Sequence, residues 1–465
     1  MRGDPVFGEA WARAWQEALE SNRAYREAAA DWEGALVLSV SDGGGSGPAV
    51  WADLHHGSCR EVRAATLEDR ETALYHLAAP QSVWKELFDG SLDPLWALTT
   101  GKIELQRGRI SDLIPYVQAA RELVRSARTV PTDWEAEAAQ SRREGAPSRA
   151  MEIPDEEEET GAMREEPRSI PGTGDGARFQ TTSRRGLDFD LFPMRLWEKA
   201  KERGVWNPSE IDFSRDRRQW EELSDLERDA LLRLISLFQA GEESVTRELL
   251  PLIRVIADQG RLEEEIFLTS FLWEEAKHVE VFRRFFDRVA RARGDLSHYH
   301  GESYRRIFHR ELPEALARLD RDPSPVAQAE AAVTYNMIVE GVLAETGYHA
   351  FHEMLAERDL LPGMREAVGL LKSDEARHLA YGVFLLSRLV CQHGDEVWNA
   401  VESRLEALLG PALGVVEEAF AAYDEFPFGL ERGDFVDYAT RQFDRRRRRI
   451  ERSRTQDLEQ ILYGS

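Results

Sequence analysis

Two Glu-x-x-His pairs, Glu275–His278 and Glu375–His378, have the residue types and spacing of a metal centre. Each lies in a helix-length amphipathic segment, and each follows a lone glutamate, Glu242 or Glu340, by nearly the same interval. Residues three apart share one face of a helix, so each pair can present a carboxylate oxygen and an imidazole nitrogen to a single ion. The order Glu, Glu-x-x-His, Glu, Glu-x-x-His therefore offers four carboxylates and two imidazoles. In a bundle core, four negative charges would be prohibitively costly without cations to pair them. Hard carboxylate oxygens suit manganese and iron, and imidazole is compatible with both. Phe271, Glu275, His278 and Phe282 fall on one stripe, so the polar groups interrupt an inward apolar face. Glu243 competes with Glu242 for the first ligand position, and His349, His352 and Glu353 read as surface or satisfied core groups.

The segments that must position these residues all read as helix. Ser224-x-x-Glu227 is a capping box that opens a helix carrying Leu231, Leu234, Ile235, Phe238 and Glu242, ending near Gly260. A second helix, from Leu262 to Ala290, holds the first Glu-x-x-His. Ser324-Pro325, an N-cap followed by proline at the first helical position, opens a third with Tyr335 and Glu340. The fourth runs from Gly363 to His393 and carries Asp374-Glu375-Ala376-Arg377-His378. Segments beyond Gly410 predict further peripheral helices, and the run Arg445–Arg449 reads as a solvated helix face or tail. The result is an all-α four-helix bundle with extra helices. Its ligand set is that of the ferritin-like dinuclear carboxylate proteins.

At 465 residues the chain exceeds one typical domain. Between Ser126 and Arg178 the composition turns to Pro, Gly, Glu and Arg, which cannot bury enough apolar surface to offset ordering entropy. The chain thus divides into an N-terminal unit (1–128), a disordered linker (129–175) and the helical unit (176–465). A helix over Ala10–Asp31, strands at Ala35–Val40, Ala49–Leu54, Ala73–Ala78 and Ile103–Leu105, and a helix over Leu113–Val124 predict an α+β fold before the linker. The loop at Gly43–Gly47 joins strand to strand, so it reads as a hairpin rather than a phosphate cradle. The net charge of −25 and the lack of a groove-reading motif argue against nucleic acid. Cys59 and Cys391 are too few for a disulfide framework. With no signal-peptide pattern and no span-length apolar stretch, the expectation is a cytoplasmic protein without integral membrane association.

Trp84 with Leu87, Asp93-Pro94 with Trp96, and Gly101-Lys102 give the region from Phe7 to Arg128 its resemblance to the sterol-carrier-protein-2-like lipid-transfer domain. That resemblance implies an α+β fold around an apolar cavity for an acyl chain or sterol. The helical half contains RLWEKAKERGVWNPSEIDFSRD, GEESVTRELLPLI, FLWEEAKHVEVF, YNMIVEGVLAETGYHAF and LKSDEARHLAYG. From Gly176 to beyond Val390 it resembles the R2-like ligand-binding oxidases, in the ribonucleotide-reductase-small-subunit-like branch of the ferritin-like fold. The resemblance implies Glu242, Glu275, His278, Glu340, Glu375 and His378 as metal ligands. Glu242 is preferred over Glu243 because the family's ligand stands three residues before a valine, here Val245. It further implies a manganese–iron or di-iron site that activates dioxygen and an ether crosslink between Tyr335 and Val245. A bound long-chain fatty acid with its carboxylate at the metals and a homodimer formed through the helical unit are also implied.

On α-helical geometry Val245 lies about 4.5 Å along the axis from Glu242, and Tyr335 about 7.5 Å before Glu340. Periodicity alone does not bring the valine and the tyrosine together. A tethered lipid carrier would raise the local concentration of an acyl substrate at the oxidase. Two other readings stay open. A ribonucleotide reductase small subunit is disfavoured by the fused lipid unit and by Phe282, which stands where many such subunits place the radical tyrosine. The other is a non-catalytic lipid carrier whose metals are structural.

Overall fold

The computed structural model describes residues 4–41, 47–134, 186–292, 294–356 and 358–464. The N-terminal unit comprises helix α1 (Glu9–Ser21), strands β1 (Glu33–Val40), β2 (Ala49–His55), β3 (Ser58–Ala64) and β4 (Tyr75–Ala79), helix α2 (Pro94–Thr99), strand β5 (Glu104–Arg107) and helix α3 (Val117–Arg128). The sheet order is β3-β2-β1-β4-β5, with β1 and β4 parallel and the other neighbours antiparallel. The helix expected over 10–31 breaks at Asn22, whose side chain accepts from the Tyr25 amide at 3.0 Å and caps a second short helix. Strand β3 was not foreseen. It is an edge strand with Arg60, Glu61 and Arg63 among its residues and only Cys59 and Val62 buried, so its charges mask the alternation.

A short parallel pairing of Asp4–Pro5 with Thr132–Asp133 ties the start of this unit to its end. Most of the expected linker, and the tip of the Gly-rich hairpin, lie outside the described residues.

The helical unit contains α4 (Phe192–Arg203), α5 (Asp225–Glu248), α6 (Leu262–Phe285), α7 (Pro325–Ala332), α8 (Pro362–His393), α9 (Asp395–Phe420) and α10 (Arg432–Arg452). Ser224 and Glu227 form the expected capping box of α5. That helix breaks at Leu249 rather than running to Gly260, because Pro251 cannot donate to the ladder and a new helix, Leu250–Asp258, begins there. Beyond α7 the chain becomes a π-helix over Val333–Ala344, then returns to α-helix over Glu345–Ala356. Its i→i+5 hydrogen bonds set residues five apart, such as Tyr335 and Glu340, on adjoining turns.

The two units share a core. Leu95, Ile114 and Val117 of the N-terminal unit belong to the same apolar cluster as Leu409, Leu413 and Val436 of α9 and α10. Arg447 donates to Glu402 at 2.8 Å and to Asp112 at 2.9 Å, Arg109 also pairs with Glu402, and Arg121 pairs with Asp437. This corrects the reading of Arg445–Arg449 as a solvated face: Arg447 is buried, its charge matched by carboxylates from both units. Among the described residues, no helix is long and apolar enough to cross a membrane.

Candidate metal centre

Helices α5, α6 and α8 and the π-helix bring all six expected ligands to one buried place. Glu275, His278 and His378 are fully buried, and Glu242, Glu340 and Glu375 nearly so. The ligand atoms fall into two overlapping groups, Glu242–Glu275–His278–Glu375 and Glu275–Glu340–Glu375–His378, each with its atoms within 4.8 Å of one another. Glu275 and Glu375 belong to both and so stand between the two positions. His278 Nδ1 lies 3.3 Å from Glu375 Oε1 and 3.5 Å from Glu242 Oε2. His378 Nδ1 lies 3.2 Å from Glu275 Oε1 and 3.9 Å from Glu340 Oε1. Glu243 is exposed and accepts from Gln239, whereas Glu242 is buried within the cluster.

Two metal ions fit this donor set. The Nδ1 atoms of both histidines and one carboxylate oxygen each of Glu275, Glu340 and Glu375 are buried without a hydrogen-bond partner. Buried polar atoms are otherwise almost always paired, so five orphans converging on one centre mark a cation site. Each histidine is oriented by its other nitrogen. His278 Nε2 faces Asp374 Oδ2 at 3.3 Å, and His378 Nε2 faces Glu274 Oε2 at 2.9 Å. Such carboxylate–imidazole pairs fix the ring and leave the opposite nitrogen free for metal.

Asp374 also accepts from Trp206 at 2.8 Å and Lys277 at 3.0 Å, and Arg377 joins it to Glu274 with contacts of 2.5 Å to each. Gly204 lets the chain pass here, since a Cβ at that position would stand 2.1 Å from Glu274 Oε1. Sequence reasoning missed these supporting residues. Their signal was present: Glu274-Glu275-Ala276-Lys277-His278 and Asp374-Glu375-Ala376-Arg377-His378 repeat acid, Glu, Ala, base, His.

The electrostatics describe a cage that protons occupy in competition with cations. Burial, opposed by His278, lifts the Glu242 carboxyl to about 8. Burial and the Glu375 charge hold Glu340 well above the ordinary carboxylate range. Glu275 goes the other way: burial alone would raise it, but His278 and His378 bring it down to about 2. Both imidazoles lie well above their usual range despite burial, His278 because of the Asp374 and Glu242 carboxylates beside it, His378 because of the Glu375 charge and Glu274.

A family model described as ribonucleotide reductase, small chain, matches residues 193–453, more than half of the chain and a span that includes all six candidate ligands. The chain belongs to the ribonucleotide reductase small-chain family. Similar solved structures include an R2-like ligand-binding oxidase variant with an anaerobically reconstituted Mn/Fe cofactor, 36% identical at a TM-score of 0.54, spanning 57% of this chain and 95% of that one. A Tyr-to-Phe variant of an R2-like ligand-binding oxidase, with an aerobically reconstituted Mn/Fe cofactor, is 37% identical at a TM-score of 0.54, with the same coverage.

In this small-chain member the Tyr335 hydroxyl donates to the Val245 carbonyl at 3.2 Å and lies 3.4 Å from Glu275 Oε1. The π-helix thus sets the tyrosine beside both the valine and a shared carboxylate. Tyr348, which sequence reasoning passed over, stands 3.5 Å from Glu375 Oε1. Phe282 is buried and stacks on Phe238 at 5.3 Å, so no hydroxyl occupies that position. An apolar cavity of about 120 Å³ runs from the carboxylates of Glu242, Glu275, Glu340 and Glu375 toward Val416 and Phe435. A second, of about 110 Å³, lies in the N-terminal unit between the sheet and helices α2 and α3, lined by Trp32, Leu38, Leu54, Trp84, Leu98 and Leu123.

Proposed function

We propose that the helical unit is a dioxygen-activating oxidase with a manganese–iron or di-iron pair held by Glu242, Glu275, His278, Glu340, Glu375 and His378. When bound, such a pair supplies the oxidising power to remove hydrogen from an unactivated C–H bond. The chain's own residues do the rest. Glu275 and Glu375 span the two positions, while Asp374 and Glu274 hold the imidazoles in register. Tyr335 and Val245 become joined by an ether bond from Oη to the valine β-carbon. Two hydrogens are lost, one from the phenol and one from carbon, with dioxygen as the electron acceptor. The hydrogens end on the reduced oxygen as water, and Glu275 Oε1, 3.4 Å from the hydroxyl, orients it.

The apolar cavity ending at four carboxylate ligands supports a long-chain fatty acid bound with its carboxylate at the metals. The N-terminal unit, read as sterol-carrier-protein-2-like, holds and delivers such a lipid; its nearly all-apolar cavity supports this. The protein works in the cytoplasm as a homodimer formed through the helical unit. The Tyr335–Val245 contact carries the oxidase reading over a reductase subunit, and Phe282 stacked in the core argues the same way.

Mass spectrometry of digests made before and after aerobic loading with manganese and iron tests the crosslink. The peptides carrying Val245 and Tyr335 should appear joined, two hydrogens lighter, only after oxygen. Tyr335→Phe should abolish the joined species while both metals stay bound. Peptides that separate normally after full loading in air would reject the reading.

A further inference from the structure

A cleft of about 650 Å³ separates α8 from α10, and none of the six candidate metal ligands lines it. One wall is apolar, built from Leu379, Ala380, Val383 and Phe384. The facing wall carries Arg445, Arg446, Arg449 and Arg452. These positions follow i, i+1, i+4 and i+7, so they form a single stripe spanning about 10 Å of helix.

The stripe is charged against the grain of the chain, in which 85 acidic residues outnumber 60 basic ones. Neighbouring arginines on the same helix are matched by acids: Arg447 by Glu402, Asp112 and Glu451, and Arg448 by Asp444. Arg445, Arg449 and Arg452, by contrast, have no ion-pair partner among the described residues. Arg446 is mostly buried; its nearest carboxylate, Glu345 at 3.6 Å, is also engaged by Tyr438, and the Glu340 charge acts on it from further off. Its Nη1 is buried with no hydrogen-bond partner. A buried guanidinium with an unmet donor is costly unless an anion completes it.

We infer that this cleft binds the phosphoryl group of an amphipathic organic phosphate, whose apolar part lies on the α8 wall. A single carboxylate engages one guanidinium fork, whereas a phosphoryl group has three terminal oxygens and a charge near −2 for several forks at once. The apolar wall gives the rest of the molecule a surface to cover. A soluble phosphate ester and a phospholipid headgroup both have this chemistry.

Calorimetric titration of the full-length, metal-loaded protein with octyl phosphate, and competition by inorganic phosphate, test the site. One saturable site per chain is expected. Arg445→Ala/Arg449→Ala removes two exposed side chains, and should weaken octyl phosphate by roughly tenfold or more while leaving metal content unchanged. Titration with octanoate, which has the same tail but a carboxylate head, should be insensitive to the double substitution. Co-sedimentation with phosphatidylglycerol-containing vesicles that octyl phosphate competes away would place the phosphate in a lipid headgroup; no co-sedimentation would place it in a soluble ester. Failure to find a saturable site, or octyl phosphate affinity unaltered by the double substitution, would overturn the inference.

Discussion

The two halves of the metal centre are alike in sequence and unlike in construction. One half takes Glu242 from a regular α-helix and His278 from α6; the other takes Glu340 from a π-helix and His378 from α8. Their supports are crossed. Asp374 on α8 orients His278 on α6, and Glu274 on α6 orients His378 on α8. Asp374 is held by Trp206, Lys277 and Arg377, whereas Glu274 has Arg377 as its hydrogen-bonded base. Neither half can therefore be assembled alone, because each histidine depends on the helix that supplies the other. The π-helix sets a tyrosine hydroxyl against Glu275, a carboxylate that both halves share.

The largest effect should come from the carboxylates the halves share. Glu375→Ala should lose both ions, while Glu242→Ala should lose the ion of its own half first, with helical content kept in both. Elemental analysis of protein loaded without oxygen measures this. Equal losses in the two variants would break the picture of two overlapping sites.

A smaller effect, about 10- to 100-fold in metal affinity, is expected from Asp374→Asn and Glu274→Gln. The first should be the more damaging, because it also deprives buried Lys277 of its carboxylate. An uncompensated buried charge of that kind costs about 3–5 kcal/mol, to be read from denaturant unfolding of the two variants. If Glu274→Gln were the worse, the asymmetry of the supports would carry no energetic weight.

The two halves should respond alike to pH. Glu242 and Glu340 are raised by burial, so each metal-free half holds a proton that an ion must displace. Metal affinity should therefore weaken as pH falls below about 8, by roughly tenfold per unit for each proton displaced. Chelator competition across that range gives the slope. Glu242→Gln should lower the slope by about one proton, since Glu340 keeps its own; a slope unchanged by the substitution would assign that proton elsewhere.

The ligands were legible because the information is local. A Glu-x-x-His on a helix declares its geometry within one turn, and its duplication declares the partner. The supporting acids were equally local, one residue before each ligand glutamate, but a charged residue beside another reads as surface until its environment is known. Phe282 and Phe271 were placed by the same helical stripe that placed the ligands. Strand β3 was hidden by the charges of an edge, and the end of α5 by a proline whose effect depends on where the next helix can pack.

The amino-acid sequence by itself pointed to the six candidate ligands, the helices that carry five of them and the division into an α+β and a helical unit. Tertiary structure alone decided the crossed support of the histidines, since Asp374 and Glu274 reach them from the opposite helix. It also decided the π-helix that brings Tyr335 to Val245 and the burial of Arg447 between the two units. The reason is range. Periodicity and capping are fixed by residues within one or two turns of each other. Which acid faces which imidazole, and which arginine meets a carboxylate some three hundred positions away, is settled only when separate helices pack.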